Sequence, residues 1–320
     1  MRAPDSADVS RTFAIAKVLS IIVVATAHYL PGTVLWVPQT VGLFVFAFSS
    51  GFFTGRKYAG RFSLGRFWRA KVDRLAVRLL VIDACLLILF LAQGRPGIVR
   101  WQTLPSLVGL SGFLTWFKVP SPSPFGAGLW FFTLLWLFYG AYPLLNRATA
   151  RPGPAAVTLA VALAACSILH VHLKVGHMLW LTAFAFVFGV YSARHSLRVR
   201  PVIPAVLAVG LAGVMVLLNV KWDWTQANYW LILLVSVATV YFLMQGPLRG
   251  RAFAWLLVFS GCVMELYFVH TYVFIDSDRL HPAVGATLSL LLAIASAFLL
   301  GLLGRGARSL LRRGPRTVAA

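Results

Sequence analysis

The sequence predicts an all-α, polytopic integral-membrane helix bundle with about ten transmembrane helices and both termini cytoplasmic. Three observations carry this. Hydrophobic residues make up 60% of the chain and charged residues 12%, with a mean hydropathy of +0.83; an ordinary soluble domain carries roughly 25% charge. Apolar runs of roughly 17 to 23 residues recur from end to end, the length that crosses a hydrocarbon core of about 30 Å. When these runs are threaded alternately, only Arg95, Arg100, Lys118, Lys174, Lys221 and Arg279 of the 29 Lys and Arg fall on one side. That asymmetry is the positive-inside signal. The net charge of +21 is therefore an orientation device with affinity for anionic membrane lipid, and nucleic acid is not an expected partner.

The expected spans are 12–30, 39–55, 75–93, 128–146, 155–173, 176–192, 202–219, 227–245, 253–275 and 283–304. The first is apolar from Phe13 to Leu30 but contains Lys17 and His28. Ala25-Thr26-Ala27 resembles a signal cleavage site, but Lys17 interrupts the preceding apolar core, so cleavage is not expected. The second is rich in aromatics from Gly42 to Phe53 and contains the small pair Ser50-Gly51, which permits close approach of a helix or ligand. Span three follows a basic run, Arg66-Phe-Trp-Arg69-Ala-Lys71-Val-Asp-Arg74-Leu75, and holds Asp83, read as an ion-pair partner for a helix-end arginine. Thr103 to Phe117 is broken by Pro105 and Gly112, so a re-entrant or interfacial piece is expected within an external loop, 94–128, that would act as lid or rim. Cys85, Cys166 and Cys262 fall inside apolar runs without partner spacing and are read as packing residues. His170, His172 and His177 lie near an external turn and are read as solvated; no metal site is expected. Residues 1–304 thus form one membrane domain and 305–320 a basic cytoplasmic tail.

Ionisable groups at membrane depth cost a few kcal/mol each and are seldom incidental. Lys17 and His28 are eleven steps apart, about three turns plus 20°, which puts them on one helix face about 16 Å apart. A cation near one membrane face and an imidazole deeper in suggest a channel for an anionic molecule whose reactive end lies at the histidine. Arg66, Arg69, Lys71 and Arg74 could grip phosphates, or serve as an anchor on anionic lipid. In span nine, Ser260-Gly-Cys-Val-Met-Glu265-Leu-Tyr-Phe-Val-His270 carries Glu265 and His270. These two diverge by about 140° on a helix. Either could meet His28 from a neighbouring helix; a carboxylate that bonds one imidazole nitrogen raises the basicity of the other. The alternative for Glu265 is a structural pair with a buried arginine or lysine.

Lys17-x10-His28, the Phe-rich run to Ser50-Gly51, Lys71-x-x-Arg74-Leu75, Gly128-Leu-Trp130-Phe-Phe132 and Glu265-Leu-Tyr-Phe-Val-His270 together resemble the acyltransferase 3 family of integral-membrane O-acyltransferases, in order over nearly the whole chain. The wording around Ala16-Lys17 and Ile22-Val-Val24 is most similar to the fucose 4-O-acetylase-like branch. Two departures stand out: Val77 lies near the place of a proline often found after the arginine step, and the acidic residue often found before the first helix is not at its usual position.

The resemblance implies transfer of an acyl group, by default acetyl, from cytoplasmic acyl-CoA to a hydroxyl of a sugar, glycan or small molecule. Acetyl-CoA would be a co-substrate, with no cofactor tightly bound and a separate acceptor-presenting protein as a possible partner. Lys17, Arg66, Arg69, Lys71 and Arg74 would hold the CoA phosphates; His28 would act as general base, oriented by Glu265; Trp130, Tyr267 and His270 would line the acceptor site. A covalent acyl-histidine is a second route open to the same residues. The expected location is a bacterial cytoplasmic membrane. The competing classes are a proton-coupled transporter or glycan flippase, which Lys17, Asp83 and Glu265 would suit, and a noncatalytic sensor. No inverted repeat is visible to support a transporter.

Overall fold

The computed structural model describes residues 6–60, 62–126, 129–173, 178–195, 199–275 and 280–312, and no strand occurs among them. Twelve α-helices follow in order: α1 Ser6–Tyr29, α2 Trp36–Lys57, α3 Leu64–Ala92, α4 Thr103–Leu107, α5 Ser111–Trp116, α6 Trp130–Ala148, α7 Pro152–His172, α8 Leu179–His195, α9 Val202–Trp222, α10 Asn228–Met244, α11 Val263–Val269 and α12 Pro282–Arg312. A 3₁₀ segment, Arg251–Gly261, precedes α11.

Helices thus occupy all ten expected stretches, but the count of ten spans does not follow. Among the described residues six helices (α1, α2, α3, α7, α9 and α12) are long and apolar enough to cross a membrane, or seven if Arg251–Gly261 and Val263–Tyr272 form one broken span. At 17 residues each, α8 and α10 are shorter, and α6 dilutes its apolar run with tyrosines, Pro143, Asn146 and Arg147. The exposed faces support a bilayer environment. Val157, Val161 and Ile168 on α7 and Val206, Val209 and Val220 on α9 are all more than half exposed, an arrangement that water penalises and lipid does not.

The chain divides into two compact units, Met1–Phe62 with Leu137–Ser260, and Ser63–Trp136 with Gly261–Ala320. In the first, α2 packs on α1, α8 and α10, α7 on α8, and α9 on α10. The α2–α8 crossing is backbone against backbone. A Cβ on Gly51 would meet the carbonyl oxygen of Phe186 at 2.2 Å, and one on Gly189 would meet that of Phe48 at 2.2 Å. Around this crossing the rings of Phe13, Phe48 and Phe52 stack at 5.8 to 6.1 Å, and Phe138 lies 4.4 Å from Phe186. Polar ties close the helix ends. Arg194 donates to Asn146 Oδ1 at 2.6 Å and to its carbonyl at 2.8 Å, and Asn219 and Asn228 exchange side-chain amide bonds.

In the second unit, α12 packs on α3 and α11, and α11 on α3. The loop expected to be a lid is tied down. Thr133, fully buried on α6, accepts from the amide of Gly112 and donates to the carbonyl of Gly109, each at 2.9 Å. Gly109, at φ +74°, sits where a Cβ would strike the Phe132 ring at 2.2 Å. Ser111 donates to the Gly126 carbonyl, and Thr103 shares a hydrogen bond with Ser123. Thr133→Val keeps the shape but orphans two buried backbone groups, at an expected cost of about 2 kcal/mol or more. Amide exchange across 103–117 should accelerate in that variant; unchanged protection would show that Thr133 does not pin the loop.

The stretch expected as a tail is helical at its start, since α12 continues to Arg312. Its amide ladder has no reason to stop at 304, because no proline intervenes before Pro315.

Candidate functional site

In the first unit, Lys17 and His28 lie on α1, with His28 in its last turn. Both are half-buried. Phe13, Ile15, Val18, Ile21 and Val24 are buried on the same helix and fix its rotation, so the spacing of the two groups is set by a continuous helix. An apolar cavity of about 470 Å³ flanks an adjoining stretch of α1 at Ala16, Leu19, Ser20 and Val23, with Pro38 and Gly42 of α2 opposite.

In the second unit, the basic run forms the first turns of α3. Arg66, Arg69 and Arg74 are exposed. Lys71 is not: it is 7% exposed, and its Nζ lies 5.3 Å from the centre of the buried Phe67 ring. One turn beyond Arg74 comes Arg78, whose Nη1 lies 3.2 Å from each carboxylate oxygen of Glu265 on α11. Glu265 is only 2% exposed. A carboxylate buried to this degree requires a cation, and the partner is this arginine. Of the two readings open to Glu265 in the sequence, the structure displays a pair with an arginine, the half-buried Arg78.

Trp130, Tyr267 and His270 gather in the same unit, all buried. Tyr267 reaches across to the start of α6, where its hydroxyl accepts from the Phe131 amide at 3.2 Å and its ring packs edge-on to that of Phe131. A helix start has unpaired amides, and here a tyrosine satisfies one. Phe132 and Phe268 pack at 4.9 Å beside it. His270 is fully buried, with Nδ1 2.8 Å from the Tyr267 carbonyl. These contacts hold α6 and α11 together. Gly128, which opens the aromatic motif, and His177 lie outside the described residues, and so do Lys174 and Arg279.

Asp83 departs from expectation. It is buried on α3 and makes no ion pair among the described residues, where its Oδ2 has no hydrogen-bond partner. No group of three His, Cys, Asp or Glu is gathered as a metal site among the described residues. Three arginines were not read as site residues in the sequence. Arg78 follows Arg74 by four residues, a same-face spacing; Arg305 and Arg308 continue α12.

Replacing Glu265 with Gln should leave a mostly buried guanidinium unpaired, at a cost on the order of 3 kcal/mol. Thermal melting of the purified protein should drop for Glu265→Gln and recover in part when Arg78→Gln is added. Additive losses in the double variant would mean that the pair does not act as a unit.

Long apolar helices carrying a lysine, a histidine and a paired glutamate define a multi-pass membrane protein that keeps ionisable groups within its helices. Residues 12–304 match the acyltransferase 3 family, described as an acyltransferase domain, and the chain belongs to that family of membrane O-acyltransferases. No curated protein and no solved structure matches it. The family segment takes in Lys17, His28, the α3 basic run and Glu265, and it stops one residue before Arg305.

Proposed function

We propose that this protein moves an acetyl group from cytoplasmic acetyl-CoA to a hydroxyl of a sugar, glycan or small-molecule acceptor, in the manner of the fucose 4-O-acetylase-like branch. One observation carries the reading: the family segment begins within an uninterrupted helix, α1, and takes in the part of it on which Lys17 and His28 share a face. Their separation along the axis, about 16 Å, is comparable to an extended pantetheine arm. With both termini cytoplasmic, Lys17 is nearer than His28 to the side where CoA is supplied.

The chemistry then proceeds by direct transfer. His28 takes the proton of the acceptor hydroxyl as that oxygen attacks the thioester carbonyl; the carbon–sulfur bond breaks, and the leaving CoA thiolate recovers the proton from the imidazolium. An imidazole suits this work because its ordinary pKa lies near neutrality. Arg66, Arg69 and Arg74 are exposed and suited to phosphate oxygens by guanidinium geometry. Within the same unit as these arginines the buried Lys71 adds positive potential, and on α1 Lys17 does so for the stretch that leads to His28. Glu265 holds Arg78 and so keeps α3 in place, while Trp130, Tyr267 and His270 build the aromatic wall that would face the acceptor. Membership of an acyltransferase family gives no support to the transporter reading.

The test is to supply membranes containing the protein with acetyl-CoA labelled on the acetyl group and a panel of sugar and glycan acceptors. Acceptor-dependent transfer of label with release of free CoA is expected. A wild-type protein that neither binds nor consumes acetyl-CoA would overturn the proposal.

A further inference from the structure

The second unit gathers more positive charge than α3 supplies. α12 remains helical past the end of the family segment and packs on both α3 and α11. Arg305 and Arg308, three residues apart, share a face of that helix. The head of Arg305 folds back along α12, its Nη1 3.7 Å from where a Cβ on Gly301 would stand. The same Gly301 position is 3.8 Å from Cys262 Cβ, and Cys262 lies three residues before Glu265. This places Arg305 at the beginning of α11, where Arg78 meets Glu265. Arg308 is tethered through Nε to the Gly304 carbonyl at 3.3 Å. Arg74 precedes Arg78 by one turn of α3 and shares its face.

Arg78 and Arg305, from two helices, thus come to the start of α11 near Glu265, with Arg74 and Arg308 one turn along their respective helices. Glu265 offsets one of them, and both of its oxygens already serve Arg78. No ion pair is seen for the other three among the described residues, and like charges at the edge of a low-dielectric medium repel more strongly than in water. Arg74 and Arg305 are exposed and Arg308 is half-buried, so their donors are open to an external anion. Guanidinium clusters match phosphate in geometry and charge.

We propose that Arg305 and Arg308 of α12, with Arg74 of α3, form a phosphate-binding subsite whose arginines are held in register by the Arg78–Glu265 pair. Its ligand is a phosphate monoester or diphosphate. The source is the nucleotide end of the acyl-CoA donor or the headgroup of an anionic phospholipid; the first rests on the function proposed above and the second does not. The last helix is then part of ligand binding and not an orientation signal alone.

The test uses the full chain in nanodiscs. Equilibrium binding of CoA and of CoA lacking its 3′-phosphate is measured in zwitterionic lipid for the wild type, for Arg305→Gln/Arg308→Gln, and for Arg151→Gln/Arg251→Gln, which removes the same charge from the other unit. Phospholipid retained from membranes containing phosphatidylglycerol is measured by native mass spectrometry. If CoA is the ligand, the α12 variant binds it about tenfold or more weakly, and the control variant is unchanged. If lipid is the ligand, CoA affinity is unchanged while the α12 variant alone loses retained phosphatidylglycerol; this supports the subsite even where the wild type binds no CoA and the acyl-donor reading fails. A folded α12 variant, with wild-type elution and melting, that keeps both CoA affinity and retained lipid overturns the proposal. So does an equal loss in the control, which would make the effect one of total charge.

Discussion

Replacing His28 with alanine is expected to lower the rate of acetyl transfer by roughly a hundred- to ten-thousand-fold, the range that a positioned general base contributes. The side chain is half-buried in the last turn of α1, so its removal should leave the helix and its buried face intact. The informative result is a split in kinetic constants. His28→Ala should lower kcat with little change in KM for acetyl-CoA, because the imidazole acts on the acceptor's proton. Lys17→Ala, three turns away on the same face, should raise KM for acetyl-CoA and lower kcat much less. Steady-state transfer of labelled acetyl groups, at equal protein abundance and equal melting temperature, measures both. Should His28→Ala retain wild-type kcat, His28 is not the base.

The largest expected effect on stability lies at the α2–α8 crossing. Alanine at Gly51 or Gly189 would put a methyl carbon 2.2 Å from a carbonyl oxygen of the opposite helix. A backbone atom cannot rotate aside, so one helix must shift and with it the stacked rings of Phe13, Phe48 and Phe52. Forced overpacking costs about 2 to 3 kcal/mol, and in a crossing that is reciprocal the two substitutions compound. The comparison is Gly140→Ala and Gly213→Ala, where an added Cβ meets nothing within 4 Å and helix propensity favours alanine by about 1 kcal/mol. Melting of the purified protein should fall sharply for the first pair and hold or rise for the second. Equal behaviour in both pairs would refute the close crossing.

The legible parts of the site were those that depend on position along one helix. Lys17 and His28 share a face because α1 runs unbroken through both, and Ser50-Gly51 announced a close approach because small residues have few other uses inside an apolar run. Glu265 was legible as an unusual group and ambiguous as to partner. Its arginine, Arg78, comes from a helix 187 residues earlier, and nothing in local periodicity couples the two. Tyr267 was legible as a candidate for the acceptor site, but not its hydrogen bond from the Phe131 amide at the start of α6. That use depends on where another helix begins, which is a property of the packing. Arg305 and Arg308 were read as tail because apolar residues give out near 304, while the helix itself continues.

The sequence by itself determined the membrane environment, the helical class and the groups that would be costly at depth, because hydropathy and helical period are properties of adjacent residues. The count of ten spans is not confirmed by the structure: among the described residues six helices, or seven with the broken pair, are long and apolar enough to cross a bilayer. Only the tertiary structure decided that Glu265 pairs with Arg78, that Thr133 satisfies the Gly112 amide and the Gly109 carbonyl of the 94–128 loop, and that α12 brings Arg305 to the start of α11. In each case the deciding quantity is the need of a buried polar group for a partner, and which partner meets that need is settled by the packing of distant helices, not by the order of residues along any one of them.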